Sequence, residues 1–250
     1  MGVFDGKTVL VTGGSTGIGR ATSIAFAEAG ANVVIGDVDP RAAETVAAIQ
    51  ALGGQALFVE TDVVDPRAVN ALVERAVSAY GGLHCAFNNA GILPPTCPVH
   101  EVTDDDFDRI MAVDVKGVFN CMRAEIQYFL TVGGGAIVNT ASVAGVIADP
   151  GMSAYVAAKH AVVGMTKAAA IEYVQQNIRV NALAPGFTQT PMTQRWIDDP
   201  VFVEQVMMSM PAKRAAAPQE IAGTVLHLCS DAASFTTGSV VIVDGGQTAH

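Results

Sequence analysis

The sequence has few charged residues, and positive charges are the scarcer kind. Charged residues make up 15% of the 250 positions, with 14 Lys and Arg against 24 Asp and Glu and a net charge of -10. Phosphate contacts need clustered cations, so this balance argues against general binding to nucleic acid or to an anionic membrane. A typical domain has about 25% charged residues. The low fraction here indicates a surface partly buried between subunits, and we expect a homo-oligomer.

Cysteines and long apolar runs are also scarce. Cys85, Cys97, Cys121 and Cys229 form no Cys-x-x-Cys pair and have no histidine at metal-ligand spacing, so we expect reduced thiols and no metal site. No run of 18 apolar residues predicts a membrane span. The N-terminus lacks the basic and then apolar pattern of a signal peptide. We therefore expect a cytoplasmic protein.

What the sequence has in abundance is alternation between two hydrophobic periods. Short β-branched runs predict seven buried parallel strands, and segments of helical period lie between them. The expected strands are Thr8–Thr12, Asn32–Asp37, Ala56–Glu60, Cys85–Asn88, Ala136–Thr140, Ile178–Leu183 and Ser239–Val243. The expected helices are Gly17–Glu28, Arg41–Leu52, Pro66–Tyr80, Thr103–Leu130, Ser153–Gln176 and Pro218–Cys229. This order predicts an α/β chain with one domain over residues 1–250, a doubly wound Rossmann fold whose parallel sheet has helices on both faces.

The segment from Pro185 to Ala217 interrupts the alternation. It contains four prolines, Trp196, and methionines at positions 207, 208 and 210, without a strand pattern. Long irregular segments in compact domains are often lids or binding loops, so we expect a small substrate lid near residues 187–217. The alternative is a surface excursion without a function.

A glycine-rich turn follows the first predicted strand and opens the first predicted helix. Its glycines are Gly13, Gly17 and Gly19, a spacing that differs from the common GxGxxG fingerprint. Glycines permit a tight turn and close backbone approach, and free N–H groups at a helix N-terminus bind a pyrophosphate. The loop therefore predicts a dinucleotide site that includes Ser15, Thr16 and Ile18.

Asp37 ends the second strand, where a carboxylate can accept hydrogen bonds from a ribose 2′-OH. The loop has no basic residue and Val38 follows the acid, so a 2′-phosphate would be repelled. The sequence therefore predicts NAD rather than NADP.

Polar or turn residues after the third and fourth strands are binding candidates by position. For the residues after the fourth strand, a role in the turn alone is a serious alternative. These candidates are Asp62, Val63, Asn89, Ala90 and Gly91.

Tyr155 and Lys159 are four residues apart in a predicted helix and project from one face. A nearby ammonium favours the phenolate, so Lys159, assisted by a positive nicotinamide, is expected to lower the pKa of Tyr155 towards operating pH. Ser142 follows the fifth strand, where its hydroxyl can stabilise charge developing on a substrate oxygen. Together they predict a site for a reacting alcohol or carbonyl.

With these motifs in order, the chain resembles the short-chain dehydrogenase/reductase family over nearly its whole length. The shared motifs are Thr12–Gly19, Asn88–Gly91, Ser142, Tyr155-Val-Ala-Ala-Lys159, Asn181, Pro185-Gly186 with Thr190, and Val243–Gly246. Within the family the sequence is most similar to bacterial dehydrogenases of cyclic or aryl secondary alcohols and diols. The resemblance implies a homotetramer.

The resemblance also implies roles for individual residues. Tyr155 is the acid/base, Ser142 positions the substrate oxygen, and Lys159 binds the nicotinamide ribose as well as tuning Tyr155. The nicotinamide end would be contacted by Pro185, Gly186, Thr188 and Thr190. The rest of the cofactor groove would be lined by Ile18, Asp62, Val63, Asn89, Ala90 and Gly91.

One position departs from the family pattern. Asp114 stands where the family usually has an asparagine that serves a water-linked proton relay. An ionised carboxylate cannot donate a hydrogen bond as the amide does, and its charge can stabilise the ammonium of Lys159 and weaken its effect on Tyr155. We expect activity to survive with an altered pH profile.

The expected substrate is a small hydrophobic alcohol or ketone. An apolar mouth is predicted from Ala144, Leu93, Phe187, Trp196 and residues 207–210, although the methionines there could instead pack a subunit interface. We expect NAD-dependent interconversion of a cyclic or aryl secondary alcohol and its ketone. Two alternatives stay open: a 3-oxoacyl thioester reductase of lipid metabolism, and a catalytically silent NAD-binding regulatory subunit.

Overall fold

A computed structural model describes residues 2–249, apart from the side chains of Phe202, Gln205, Met207 and Ser209. Seven parallel strands form one sheet in the order β3-β2-β1-β4-β5-β6-β7. The strands are β1 (Thr8–Thr12), β2 (Asn32–Asp37), β3 (Gln55–Glu60), β4 (Cys85–Asn88), β5 (Gly135–Thr140), β6 (Ile178–Pro185) and β7 (Val240–Val243). The predicted Rossmann topology is confirmed, with strand ends shifted by at most two residues. The order reverses between β1 and β4, where doubly wound sheets open a crevice at the carboxyl ends of their strands.

Helices cover both faces of this sheet. They are α1 (Gly17–Glu28), α2 (Ala42–Ala51), α3 (Pro66–Tyr80), α4 (Asp104–Ile110), α5 (Val118–Val132), α6 (Ser153–Tyr173), α7 (Gln194–Ile197), α8 (Pro200–Ser209) and α9 (Pro218–Cys229). Local sequence explains the start of α3: Asp65 caps it by accepting from the Arg67 N–H at 2.9 Å, and Pro66 occupies its first turn. None of the helices in the described range is long and apolar enough to cross a membrane.

Two apolar layers hold the sheet between these helices. Strand side chains alternate between faces, so Leu10 packs with α3, α5 and α6, whereas Val9 and Val11 pack with α1, α2 and α9. Fully buried aromatic rings anchor both layers, with Phe129 on one side and Phe26 on the other. The core thereby fixes the carboxyl ends of the strands as one rigid edge.

The predicted helix Thr103–Leu130 is one continuous rod that contains a widened turn. Residues Met111–Gly117 form a π-helix between α4 and α5. Such turns insert an extra residue and rotate the side chains within them, and they are frequent at functional sites. Asp114 lies inside this segment and is fully buried.

Candidate active site

A cleft of about 330 Å³ runs along the carboxyl edge of the sheet, where β1, β4 and β5 end. Nearly all of the predicted cofactor residues line it: Gly13, Ser15, Thr16, Gly17, Ile18, Asp37, Val38, Asp62, Val63, Asn89, Ala90, Gly91, Tyr155, Lys159, Pro185, Gly186, Thr188 and Thr190. Gly19 is the exception. It is buried, and a Cβ built there would lie 2.0 Å from the Gly13 carbonyl oxygen, so it serves the packing of the turn.

The glycine turn is held by side chains from neighbouring strands and helices. Thr12 Oγ1 accepts the N–H groups of Asn89 and Ala90 at 3.1 and 3.2 Å. The Asn89 amide in turn donates to the Gly13 carbonyl at 3.1 Å, so its side chain binds the loop. Gly13 has a φ of +69°, and a Cβ there would lie 2.9 Å from the Ala90 Cα. Only glycine permits both the left-handed backbone and this close approach.

Asp37 occupies the position that a ribose-binding acid requires. Its side chain is buried and accepts the Ser15 N–H at 2.9 Å and the Asp39 N–H at 3.0 Å. The nearest cation in the sequence, Arg41, is paired with Asp39, to which its Nε donates at 2.8 Å. At this end the described residues that line the cleft include the Asp37 carboxylate and no Lys or Arg.

The three predicted catalytic side chains converge at the other end. Ser142 follows β5, Tyr155 and Lys159 lie one turn apart on α6, and all three line the cleft. The Lys159 ammonium lies 5.4 Å from the centroid of the Tyr155 ring, and the Ser142 hydroxyl is close enough to the phenol to lower its pKa. Lys159 Nζ also donates to the Thr140 carbonyl at 3.1 Å, which fixes the ammonium against the end of β5.

The pKa of the Tyr155 phenol lies above its ordinary value. Burial raises this pKa, the Lys159 ammonium lowers it, the charge of Asp114 raises it, and the hydrogen bond with Ser142 lowers it. The side chains alone therefore do not bring the pKa of Tyr155 towards operating pH, and the lowering expected with a positive nicotinamide stays a prediction. Lys159 acts in the expected direction, but burial and Asp114 outweigh it, so the phenol holds its proton at neutral pH.

Asp114 pairs directly with Lys159. Its Oδ2 lies 2.9 Å from the Lys159 Nζ, and its Oδ1 accepts the Ile92 N–H at 2.8 Å. Burial by itself lowers the pKa of Lys159, but the negative charge of Asp114 and the interaction with Tyr155 more than offset it, and this pKa lies above its usual value. Lys159 is therefore an ammonium that donates a hydrogen bond to the Thr140 carbonyl and forms an ion pair with Asp114.

The predicted substrate mouth is only partly present. Ser142 and Tyr155 line the cleft, but Ala144 is buried, and neither Leu93 nor Phe187 is part of the lining that the structure describes. The Ala144 side chain is only 2% exposed and does not reach the cleft surface. The ring of Phe187 instead packs against Trp196, with centroids 6.4 Å apart.

The apolar lining comes from residues that the sequence reasoning missed. They are Ile92, Val113, Pro191 and Met192, with Thr61, Thr140, Ala141 and Thr193 as further lining residues. Thr61, Thr140 and Ala141 end or follow strands, a signal that could have found them. Met208 is exposed and Met210 is core, so neither forms the mouth, and the Met207 side chain lies outside the described residues.

Two contacts join the loops that flank this mouth. The Arg195 Nη2 on α7 donates to the Pro94 carbonyl at 2.9 Å, and Arg195 also lies over the Trp196 ring at 4.9 Å. On the other side, the Cys97 N–H donates to the Gly151 carbonyl at 3.0 Å. These bonds connect the loop after β4 to both the 187–199 segment and the loop before α6.

Among the described residues, no cysteine or histidine lines the cleft. Cys85, Cys121 and Cys229 are buried free thiols, and Cys97 is a half-buried one. His100 is exposed, and His160 on α6 is also exposed and bonds the Val156 carbonyl of its own helix. Within residues 2–249, the described His, Cys, Asp and Glu side chains form no group suited to a metal ion.

The cleft fits a nicotinamide dinucleotide by the chemistry of its donors. The backbone N–H groups at the start of α1 suit a pyrophosphate, Asp37 suits a ribose diol, and the Lys159 ammonium, which lines the cleft, suits a second ribose. Gly17 has a φ of +53°, and a Cβ there would lie 3.0 Å from Thr190 Cγ2, so the passage between turn and lid depends on its being glycine. Fold and site together define a Rossmann oxidoreductase site.

Comparison with known proteins specifies the class further. A family model described as enoyl-(acyl carrier protein) reductase, from the short-chain alcohol dehydrogenase group, matches residues 13–248. The chain belongs to the short-chain dehydrogenase/reductase family. It is 46% identical to a 2,5-dichloro-2,5-cyclohexadiene-1,4-diol dehydrogenase of Sphingobium indicum, over 100% of both chains. It is 43% identical to a cyclohexanol dehydrogenase of an Acinetobacter species, over 98% of this chain and 96% of the other.

A solved structure agrees with both matches. The gluconate 5-dehydrogenase of Burkholderia cenocepacia, in complex with NADP and tartrate, superposes with a TM-score of 0.94 at 32% identity, over 99% of this chain and 97% of the other. The resemblance to the family and the predicted fold are thereby confirmed. The chain is an oxidoreductase of the short-chain alcohol dehydrogenase type.

Proposed function

We propose that this protein interconverts a hydrophobic cyclic or aryl secondary alcohol and its ketone with NAD as the cofactor. The observation that carries the proposal is the convergence of Ser142, Tyr155 and Lys159 on one cleft with Asp37 at its far end. The names of the relatives that act on cyclohexanol and on a cyclohexadiene diol support the substrate class. The apolar lining by Ile92, Val113 and Met192 suits such rings.

The proposed mechanism assigns one task to each side chain. Ser142 hydrogen-bonds the substrate oxygen and holds it beside Tyr155. In reduction the Tyr155 phenol gives its proton to the carbonyl oxygen. In oxidation its phenolate form, which the Lys159 ammonium and a bound cationic nicotinamide would favour, accepts the hydroxyl proton. Lys159 holds a ribose hydroxyl and favours the phenolate. The bound dinucleotide supplies the hydride acceptor or donor.

NAD is proposed over NADP because of charge. A 2′-phosphate beside Asp37 would meet the carboxylate, and Arg41 is paired with Asp39. Two unit charges at 4 Å interact with about 4 kcal/mol near a protein surface, so even a screened repulsion predicts at least about a tenfold preference in kcat/KM. Parallel rates with NAD+ and NADP+ test this. Replacing Asp37 by Ser should shrink the preference, and an NADP+ preference in the unaltered protein would contradict the assignment.

We also propose that the chain works as one domain over residues 1–250, with residues 187–217 as its substrate lid. The resemblance to the family supports a homotetramer, and the free thiols of the four cysteines suit a cytoplasmic location. Both stay proposals, and sedimentation at several protein concentrations tests the subunit number.

The experiment for the activity itself compares Tyr155→Phe with the unaltered protein. NAD+ reduction is followed with cyclohexanol and 1-phenylethanol, and NADH oxidation with acetoacetyl-coenzyme A, which tests the thioester alternative. Loss of the acid/base group should lower turnover by about 10²- to 10⁴-fold, whereas NAD+ affinity stays within about twofold. Tyr173→Phe, the same change at the far end of α6, is the matched control and should keep full turnover.

The outcomes of these assays distinguish the proposed alcohol dehydrogenase from the two alternative functions. A protein that binds NAD+ tightly but oxidises no alcohol and reduces no ketone or thioester would be a regulatory subunit. Faster thioester than alcohol turnover would favour the lipid-reductase alternative. Equal turnover by Tyr155→Phe and the unaltered protein would contradict the proposed chemistry.

A further inference from the structure

The ionisable groups beside the catalytic tyrosine carry no net charge. Lys159 Nζ and Asp114 Oδ2 are 2.9 Å apart, with side chains 4% and 0% exposed. An asparagine at position 114, the residue usual in the family, would leave the ammonium as an uncompensated positive charge. In this chain the carboxylate cancels it inside the protein, where solvent screens weakly.

The carboxylate is close to the cleft as well as to the lysine. A Cβ built on Gly91, a residue of the cleft wall, would lie 3.0 Å from Asp114 Oδ2. The Ile92 N–H fixes the other oxygen at 2.8 Å, and the π-helical turn holds the backbone. The Asp114 carboxylate is therefore held against the Gly91 backbone of the cleft wall, at the end where Tyr155 and Lys159 lie.

This charge matters because the two redox forms of a nicotinamide differ by one charge at the ring. The oxidised ring is cationic and the reduced ring is neutral, whereas the rest of the cofactor is the same. A lone buried ammonium repels only the oxidised form. A neutral ion pair removes that repulsion and leaves the reduced form almost unaffected.

We propose that Asp114 is a specificity-determining residue that lowers the Kd for the oxidised cofactor relative to the Kd for the reduced cofactor. It acts through Lys159 and the local charge, without transferring a proton itself. The inference rests on the proposed function, since it assumes that the nicotinamide end of the cofactor lies beside Tyr155 and Lys159.

The test is a pair of dissociation constants measured by calorimetry, without substrate. In Asp114→Asn the Kd for NAD+ should rise about tenfold, equivalent to about 1.4 kcal/mol, while the Kd for NADH changes less than twofold. Lys159→Met leaves the carboxylate without its ammonium and should shift the ratio of the two constants in the opposite direction. The double variant restores a neutral site, and its ratio should return to that of the unaltered protein.

Asp105→Asn, an exposed acid on α4, is the control for net charge and should leave both constants unchanged. Equal changes for both redox forms in Asp114→Asn would show a structural role and overturn the proposal, as would an unchanged ratio. If Asp114→Asn does not fold, Lys159→Met and the double variant decide. A protein that binds NADP+ and NADPH instead would overturn the cofactor assignment alone, because the same ratio is then measured with those molecules.

Discussion

Glu125 gives the sharpest stability prediction in this fold. Its side chain on α5 is 1% exposed, and Oε2 accepts one hydrogen bond from the Asn88 amide at 2.9 Å. Among the described residues no cation pairs with it. Burial raises the pKa of Glu125 to about 8, against which the bond from Asn88 acts only weakly.

The sign of the effect follows from proton binding. The folded state keeps a proton that the unfolded chain releases above pH 4.5, so Glu125 lowers stability progressively as pH rises from about 4.5 to about 8. Between pH 5.0 and 7.5 the loss amounts to about 3 kcal/mol. Glu125→Gln keeps an acceptor for Asn88 and has no proton to lose, so its stability should not show this decline.

The assay is thermal unfolding of both proteins at pH 5.0 and 7.5, at one fixed protein concentration. The advantage of Glu125→Gln should grow by about 6–12 °C between the two pH values, taking about 2–4 °C per kcal/mol for a chain of this size. Glu172→Gln, an exposed acid on α6, is the control and should show no such growth. If the Tm of Glu125→Gln and the Tm of the unaltered protein changed by the same amount between the two pH values, the claim that Glu125 is buried as a neutral acid would be refuted.

Three further predictions concern the candidate active site and the hydrogen bonds of Arg179 on β6. In Asp114→Asn, loss of the charge that raises the pKa of Tyr155 should move the rising limb of the pH–kcat/KM profile for alcohol oxidation to lower pH, and an unchanged profile would count against the pair. Arg195→Ala breaks the bond to the Pro94 carbonyl and should raise KM for the alcohol roughly twofold to tenfold, whereas Gln194→Ala on the same helix should not. Arg179→Met removes the Arg179 donor from the carbonyls of Leu228 and Ser230 and leaves the Thr236 carbonyl with its bond from Asn181, which should cost about 3 kcal/mol in urea unfolding; equal unfolding midpoints for the variant and the unaltered protein would contradict this.

Local sequence patterns were sufficient to predict the strands of the sheet and the start of α3. The β-branched runs predicted all seven strands, and the cap and proline at Asp65 and Pro66 mark the start of α3 as observed. The carboxyl-end rule then gathered the cofactor residues into one cleft, because parallel strands end at a common edge. These features depend on neighbours in sequence or on one topological rule.

What sequence reasoning missed depends on contacts between distant residues. Hydrophobic period does not distinguish a π turn within a helix, so the orientation of Asp114 was not predictable. The net pKa of Tyr155 depends on burial and on that carboxylate, 41 positions away. The fit of Phe187 against Trp196 and the burial of Met210 likewise come from packing of the 187–217 segment, for which no repeating pattern exists.

The central claim is that Tyr155, Ser142 and Lys159 place an alcohol carbon for direct hydride transfer to a bound nicotinamide. Single turnover with cyclohexanol deuterated at the carbinol carbon tests this most directly. The account predicts one deuterium per NADH, detected by mass spectrometry, and a rate at least about 100-fold lower in Tyr155→Phe. NADH without deuterium, or the same transfer rate in Tyr155→Phe, would contradict it.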